Sequence, residues 1–361
     1  MKAKRRLIGS SLAIAACAAI LPAASAGADE ARAPAPYRVV WDDFSAGFTT
    51  TGPNAKWSHL TIGPFVADDG RVSTSSRGLR VVAGGVNPRT GQPAFTHTLG
   101  QSDPSGLPGG LDHVKWLAYA NHQASTGFQG FDAVPGQELS CSATISGRSY
   151  GTAAHPFGGQ VADHDDDLRL ASVGMPVQDP ETDVVFDFFV SNERVYVFYE
   201  RLPHLRTPTD NYAAFLYTIP VARRVPGQSH HFRIAYDRAA GVARWVLDGR
   251  EVFRVDKIGL RLPGREHLML DHGGVEKRVA PRQLSCGMGM FSILDGALPG
   301  RSDAGLVRLT PVENHYFNPA VGAPEPQRFV DGASLEQNRL FGQGAGFTMS
   351  RLVVSSLPAR R

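Results

Sequence analysis

The segment PETDVVFDFFVSNERVYVFYERLP, residues 180–203, threads carboxylates through two apolar runs separated by Ser191-Asn192-Glu193. Side chains alternate along an extended strand, so residues two and four apart share a face. In regular β geometry Glu181, Asp183 and Asp187 line one face, and Val184, Phe186, Phe188 and Val190 line the other. The apolar face reads as core and the acidic face as the wall of a cleft. Carboxylates in such a cleft serve as general acid and base, because crowding and burial raise the pKa of one member of a pair. Asp187 stands six residues beyond Glu181, about 20 Å along a strand at roughly 3.3 Å per residue. Displacement at a sugar carbon through a covalent intermediate needs carboxyls only about 5–5.5 Å apart. Those two cannot form such a pair.

The workable partner of Asp187 lies across the turn. A two- or four-residue loop pairs Val190 with Val195, Asp187 with Phe198 and Val185 with Glu200. Glu200 is then a diagonal neighbour of Asp187, about 7–8 Å away. A three-residue turn slips the register by one and brings Arg201 to that face instead. The first register makes an acid/base pair beside Phe189 and Tyr196, the second a salt bridge, and the sequence leaves both open. Asp187 and Glu200 are the catalytic candidates. His122, from DHVKWLAYANHQ (112–123), and His272, from DHGGVE (271–276), join them because imidazole titrates near neutrality; His113 is a further histidine of the first segment. Glu181, Asp183 and Tyr196 are candidates for substrate contact. Trp116 joins them as a sugar-stacking platform, although large aromatics in a sandwich also serve as core.

The run DHDDD (163–167) offers Asp163, Asp165 and Asp167 as ligands for a hard cation such as calcium. Its spacing matches no defined calcium loop, and a solvated acidic loop is the competing reading. No other cofactor is expected. The chain has no phosphate-cradling glycine loop, Gly-x-Ser-x-Gly elbow or Cys-x-x-Cys pair, and GQGAG (342–346) precedes a strand instead of opening a helix.

The elements that must position these residues are β-strands. RGLRVVAGG (77–85), ELSCSATISGRSYG (138–151), VVFDFFV (184–190), RVYVFYE (194–200), HHFRIAYD (230–237) and GAGFTMSRLVVSS (344–356) read as strands. GVARWVLDGREVFRV (241–255) reads as a hairpin turning at Asp248-Gly249. Residues 112–123 are the best candidate for a short helix. The high counts of glycine (39) and proline (25) fit many strands and turns. A net charge of +3 argues against a nucleic-acid partner.

The N-terminus has a basic start, MKAKRR, a short apolar run and small residues before Ala28. Residues 1–28 are expected to be a secretory signal peptide, with Arg5-Arg6 also fitting the twin-arginine route. The apolar run is too short for a membrane span. The alternative in IAAC (14–17) is a lipid-bearing Cys17. Residues 29–36 read as a linker, and residues 37–357 as one β domain. Its two cysteines, Cys141 and Cys286, could pair in an oxidising compartment or stay free and buried.

WDDFSAGF…KWSHL, DGRVSTSSRGLRVVAGG and HHFRIAYDRAAGVARWVLDGREVFRV together resemble the concanavalin A-like lectin/glucanase superfamily. The combination is also similar to a family of secreted actinobacterial proteins. The resemblance implies an antiparallel two-sheet jelly roll with a concave face. The glucanase branch, glycoside hydrolase family 16, carries Glu-x-Asp-x-Glu. Here Glu181-Thr-Asp183 is followed by Val185 at the position of the final Glu, so that mechanism is not implied. The expectation is a secreted, monomeric protein whose concave face binds or acts on an extracellular polysaccharide. Whether it is catalytic, or a binding or cell-surface structural protein, stays open.

Overall fold

A computed structural model describes residues 34–62, 65–84, 114–298, 304–307, 327–331 and 343–359. The expected signal segment with Cys17, and His113, lie outside them. The protein is an all-β, antiparallel two-sheet jelly-roll sandwich. Strands are numbered in chain order. The eight-stranded sheet contains β1 (Tyr37–Asp42), β5 (Gly70–Ser75), β6 (Gly78–Ala83), β9 (Gln137–Tyr150), β14 (Ser229–Asp237), β15 (Val242–Leu247), β16 (Arg250–Val255) and β21 (Gly344–Pro358). The nine-stranded sheet contains β2 (Trp57–His59), β7 (Val114–Ala120), β8 (Phe131–Asp132), β10 (Ser172–Asp179), β11 (Val184–Val190), β12 (Arg194–Arg201), β13 (Phe215–Arg223), β17 (Leu268–Asp271) and β18 (Gln283–Phe291). Two small pairs, β3 (Thr61–Ile62) with β4 (Phe65–Val66) and β19 (Ala304–Val307) with β20 (Arg328–Asp331), stand apart. Among the described residues no helix is long and apolar enough to cross a membrane.

Each sheet turns one side inward. On β9 the residues Leu139, Cys141, Ala143 and Ile145 are buried against the core, and the hydroxyl residues between them face outward. On β11 both sides are buried, so the strand reads as a continuous apolar run interrupted only by Asp187. Between the sheets Phe188 stacks on Phe232 with ring centroids 4.7 Å apart, and Phe186 meets Trp245 edge-on at 5.5 Å. Cys141 on β9 and Cys286 on β18 form a disulfide across the core, with Cα atoms 5.9 Å apart. It closes a separation of 145 residues. By loop-closure entropy this link is worth about 5 kcal/mol.

The expected Asp248-Gly249 hairpin is present, both residues having positive φ, 50° and 85°. Residues 114–123, the described part of the segment expected to be helical, are not helical. Residues 114–120 form β7, because Trp116, Ala118 and Ala120 alternate with Leu117 and Tyr119 between two apolar environments. A period of two with both faces covered leaves no 3.6-residue stripe to support a helix.

Candidate functional site

The site begins with the register of the β11–β12 hairpin. The loop is the two residues Asn192-Glu193, closed by a hydrogen bond from Ser191 N–H to Arg194 O at 3.0 Å. Asp187 therefore faces Phe198, and Glu200 faces Val185. Asp187 and Glu200 share the outer side of the nine-stranded sheet. Arg201 points to the other side. There its Nη1 donates to Lys277 O at 2.7 Å, and its guanidinium lies 3.9 Å over the Tyr212 ring. The turn is clamped from outside: Asn192 Nδ2 donates to Ser149 O (3.1 Å) and to Asp165 Oδ1 (2.8 Å), and Ser191 Oγ donates to Asp166 Oδ1 (2.6 Å).

On that outer side a cavity of about 130 Å³ opens over β7, β10, β11, β12 and β13. Its polar members are Tyr119, Gln178, Asp187, Glu200 and His204. The remainder is apolar, with Phe189 and Phe198 stacked face to face at 3.9 Å and Phe291 tilted against Phe189 at 4.8 Å. Asp187 is 3% exposed. Burial, and then the charge of Glu200, hold its carboxyl far above the usual carboxylate range; the Val177 N–H, donating to Oδ1 at 3.3 Å, offsets only part of this. Burial thus favours the protonated form of Asp187, beside a second carboxyl group. Tyr119 donates to Gln178 Oε1 at 2.9 Å. Burial first, then the charges of Asp187 and Glu200, push its phenol well above its ordinary value. A backbone irregularity lies under this group. Pro176, in the middle of β10, faces Asp187, and pairing of β10 with β18 breaks between Gly174 and Val177.

The other sequence candidates go elsewhere, for identifiable reasons. Glu181 and Asp183 do not extend β11. Asp183 has φ 60°, which ends the strand, so the expected common face with Asp187 does not form. Glu181 makes a two-pronged ion pair with Arg282, with contacts of 2.6 and 2.8 Å. Asp183 accepts from Tyr212 Oη at 3.0 Å and Leu205 N–H at 2.8 Å. Burial raises its pKa to about 6. Tyr196 is on the cleft side, but its hydroxyl is committed to Asp166 Oδ1 at 2.8 Å. Trp116 is fully buried in the inter-sheet core and presents no platform. His122 stacks on Phe131 at 4.3 Å, with Nδ1 2.8 Å from Gly130 O, away from the cleft. His272 follows β17, where the neighbouring Asp271 is held by Arg261 and Arg265, and it does not line the cavity.

The proposed metal set does not assemble either. Asp167 is buried against Arg169, with Nη2–Oδ2 at 2.7 Å, and Asp165 holds Asn192. The carboxylates that do approach are Asp163, Asp166 and Glu193, with ligand atoms within 4.8 Å of one another. Asp166 already pairs with Arg194 at 3.2 Å. Sequence reasoning missed Tyr119, Gln178 and His204. The alternation of VKWLAYA and the proline inside GMPVQ are the local signals that point to the first two.

Residues 41–358 match DUF6081, a family of unknown function, and the chain belongs to that family. It is 30% identical over 337 residues to "Uncharacterized protein L829" of Acanthamoeba polyphaga mimivirus, covering 78% of this chain and 70% of that one. Among solved structures it is similar to the Crh5 transglycosylase, with 10% identity, TM-score 0.37 and coverage of 91% of this chain and 90% of that one. It is also similar to alginate lyase A1-II′ of polysaccharide lyase family 7, with 10% identity, TM-score 0.38 and coverage of 80% and 84%. Likenesses this faint carry nothing about the chemistry of this chain.

Proposed function

We propose that this is a secreted protein that binds extracellular carbohydrate at the outer cleft of its nine-stranded sheet and acts on it by proton transfer. The observation that carries this reading is the buried Asp187 carboxyl beside Glu200, with Tyr119 and Gln178 in the same cavity above stacked phenylalanines. A sugar ring offers an apolar C–H face and a polar edge, which suits an aromatic floor with a few convergent polar groups. A protonated acid near a second carboxyl can donate to a leaving or departing oxygen while its neighbour receives a proton. A second reading, carbohydrate binding without turnover, is favoured by one feature. The cavity, about 130 Å³, is below the roughly 300–1,000 Å³ usual for ligand clefts.

Titration calorimetry and product analysis over a panel of neutral and acidic oligosaccharides test both. Binding and turnover by the wild type, with turnover lowered about 10²-fold or more in Asp187→Asn and Glu200→Gln, support catalysis. Binding without turnover supports the second reading. Binding that ignores Tyr119→Phe, Asp187→Asn and Glu200→Gln alike sinks the cleft as the site.

A further inference from the structure

The outer face of the eight-stranded sheet is unlike that cleft. Strand β9 presents Ser142, Thr144, Ser146, Arg148 and Tyr150 outward, and β21 beside it presents Thr348, Ser350 and Arg351. Neighbouring strands add Arg80 from β6, opposite Thr348, Arg71 from β5 and Arg38 from β1. Arg77 comes from the β5–β6 turn. All six arginines are exposed, and among the described residues none forms an ion pair. By contrast Arg233 and Arg244, further across the same sheet, both pair with Glu138, and Arg244 also pairs with Glu251.

Two hollows lie on this face. The first, about 510 Å³, is bordered by Arg38, Arg77, Arg351 and His231 with hydroxyls from Ser142 and Thr144; among the described residues Asp43 is its only carboxylate. The second, about 250 Å³, is bordered by Arg80, Arg148 and Tyr150, and no carboxylate lines it among the described residues. Gly346 leaves its floor open, and the ring of Tyr150 lies across Gly344, where a Cβ would strike it. Arg80 and Arg148 border this hollow together with Tyr150, and Arg71 adds its positive charge to the field at the Tyr150 hydroxyl. From Ser142 to Tyr150 the hollows follow one strand for roughly 27 Å at about 3.4 Å per residue.

We propose that this face is a second binding surface, for an acidic polysaccharide laid along β9 and β21. Unpaired guanidiniums recognise carboxylate or sulfate groups through paired N–H donors, and the hydroxyl rows meet sugar hydroxyls. Single-stranded nucleic acid needs a row of exposed stacking rings, and among the described residues the two hollows of this face offer Tyr150 and the His231 imidazole, in separate hollows. The surface belongs to the opposite sheet from Asp187 and does not depend on the function of the cleft.

The test is affinity measurement with the purified protein on four probes: polygalacturonate, dextran sulfate, uncharged dextran and duplex DNA. The expected result is binding of one or both acidic glycans, with the uncharged dextran and the DNA markedly weaker. Polygalacturonate alone identifies carboxylate as the recognised group, and dextran sulfate alone identifies sulfate. Arg80→Gln with Arg148→Gln weakens binding tenfold or more, as does Arg38→Gln with Arg351→Gln. Affinity falls steeply from about 0.1 M to about 1 M salt as the screening length shrinks from about 10 Å to about 3 Å. No binding of either acidic glycan at 0.1 M salt, equal binding of uncharged dextran or DNA, or indifference to both arginine pairs overturns the proposal. Unchanged melting temperatures of the variants assign any loss to the surface.

Discussion

The outer side of β11 and β12 carries Val185, Asp187, Phe189, Tyr196, Phe198 and Glu200, and the outer side of β9 and β21 carries Ser142, Ser146, Arg148, Thr348, Ser350 and Arg351. The same two-residue alternation builds both, and the inward sides of both are apolar. They differ in what lies above them. The first face supports a second apolar cluster that includes Leu117, Leu168, Leu216 and Ile293, so its few polar groups sit in a poorly solvated environment. The second is open to water, and its charges stay solvated. Burial therefore alters the chemistry of a carboxyl on the first face, and solvation preserves the charge of a guanidinium on the second. One face is suited to proton transfer and the other to recognition of fixed charge.

The largest expected effect comes from emptying the first face. Phe198 is 1% exposed and stacks on Phe189 at 3.9 Å. Phe198→Ala removes the cleft floor and leaves a cavity, at a cost of about 3–5 kcal/mol. Chemical denaturation measures this. A loss below about 1 kcal/mol would mean the outer cluster is not packed as a second core, and the contrast between the faces would collapse.

Acids near the two faces are also displaced in opposite directions. Burial lifts Asp183 to about 6, whereas on the other face hydrogen bonds from Ser45 hold Asp43 below the usual range. Asp183 binds its proton more tightly when folded than when unfolded. The folded protein therefore holds more protons between about pH 4 and pH 6, and stability falls as pH rises through that window. The cost approaches about 3 kcal/mol above pH 6, at about 1.4 kcal/mol per unit. Asp183→Asn tolerates the left-handed backbone and keeps an acceptor for Leu205 and Tyr212. Relative to wild type the variant gains stability as pH rises from 4 to 7, which melting curves at a series of pH values record. Parallel curves for the two proteins would refute the assignment.

Much of this architecture was legible in the sequence because the determinants are local. Residues 184–190 form the expected strand, and Asp248-Gly249 makes the expected turn, since alternation and positive-φ residues act within a few positions. The hairpin register was narrowed to two choices, which differ by a single loop residue. The partners of Asp187 were not legible. Tyr119 comes from β7, Gln178 from β10 and His204 from beyond β12, and only the sheet order joins them. The reading of Glu181 and Asp183 as cleft residues failed on one backbone angle, and Trp116 failed because an aromatic in an alternating strand is as easily core as surface. The arginine surface was likewise hidden. Arg38, Arg80, Arg148 and Arg351 are isolated in the sequence and meet only when β21 is placed between β9 and β6 with β1 beside it.

That placement gives the smallest expected effect and the sharpest contrast with Phe198. Arg80 and Arg148 are exposed and make no ion pair among the described residues, so Arg80→Gln with Arg148→Gln should change stability by no more than about 0.5 kcal/mol. The sign is set by the neighbours. Arg80 and Arg148 border one hollow with Tyr150, and Arg71 acts on the same hydroxyl; like charges held close together destabilise the folded state. Removing two of them should therefore be neutral or slightly stabilising at low ionic strength, and the difference should vanish near about 1 M salt, where charges more than about 3 Å apart are screened. Melting temperatures of both proteins across a salt series read this directly. A destabilisation that persists at high salt would show that these arginines hold the fold together, and a guanidinium already engaged in that way is not available to an acidic ligand.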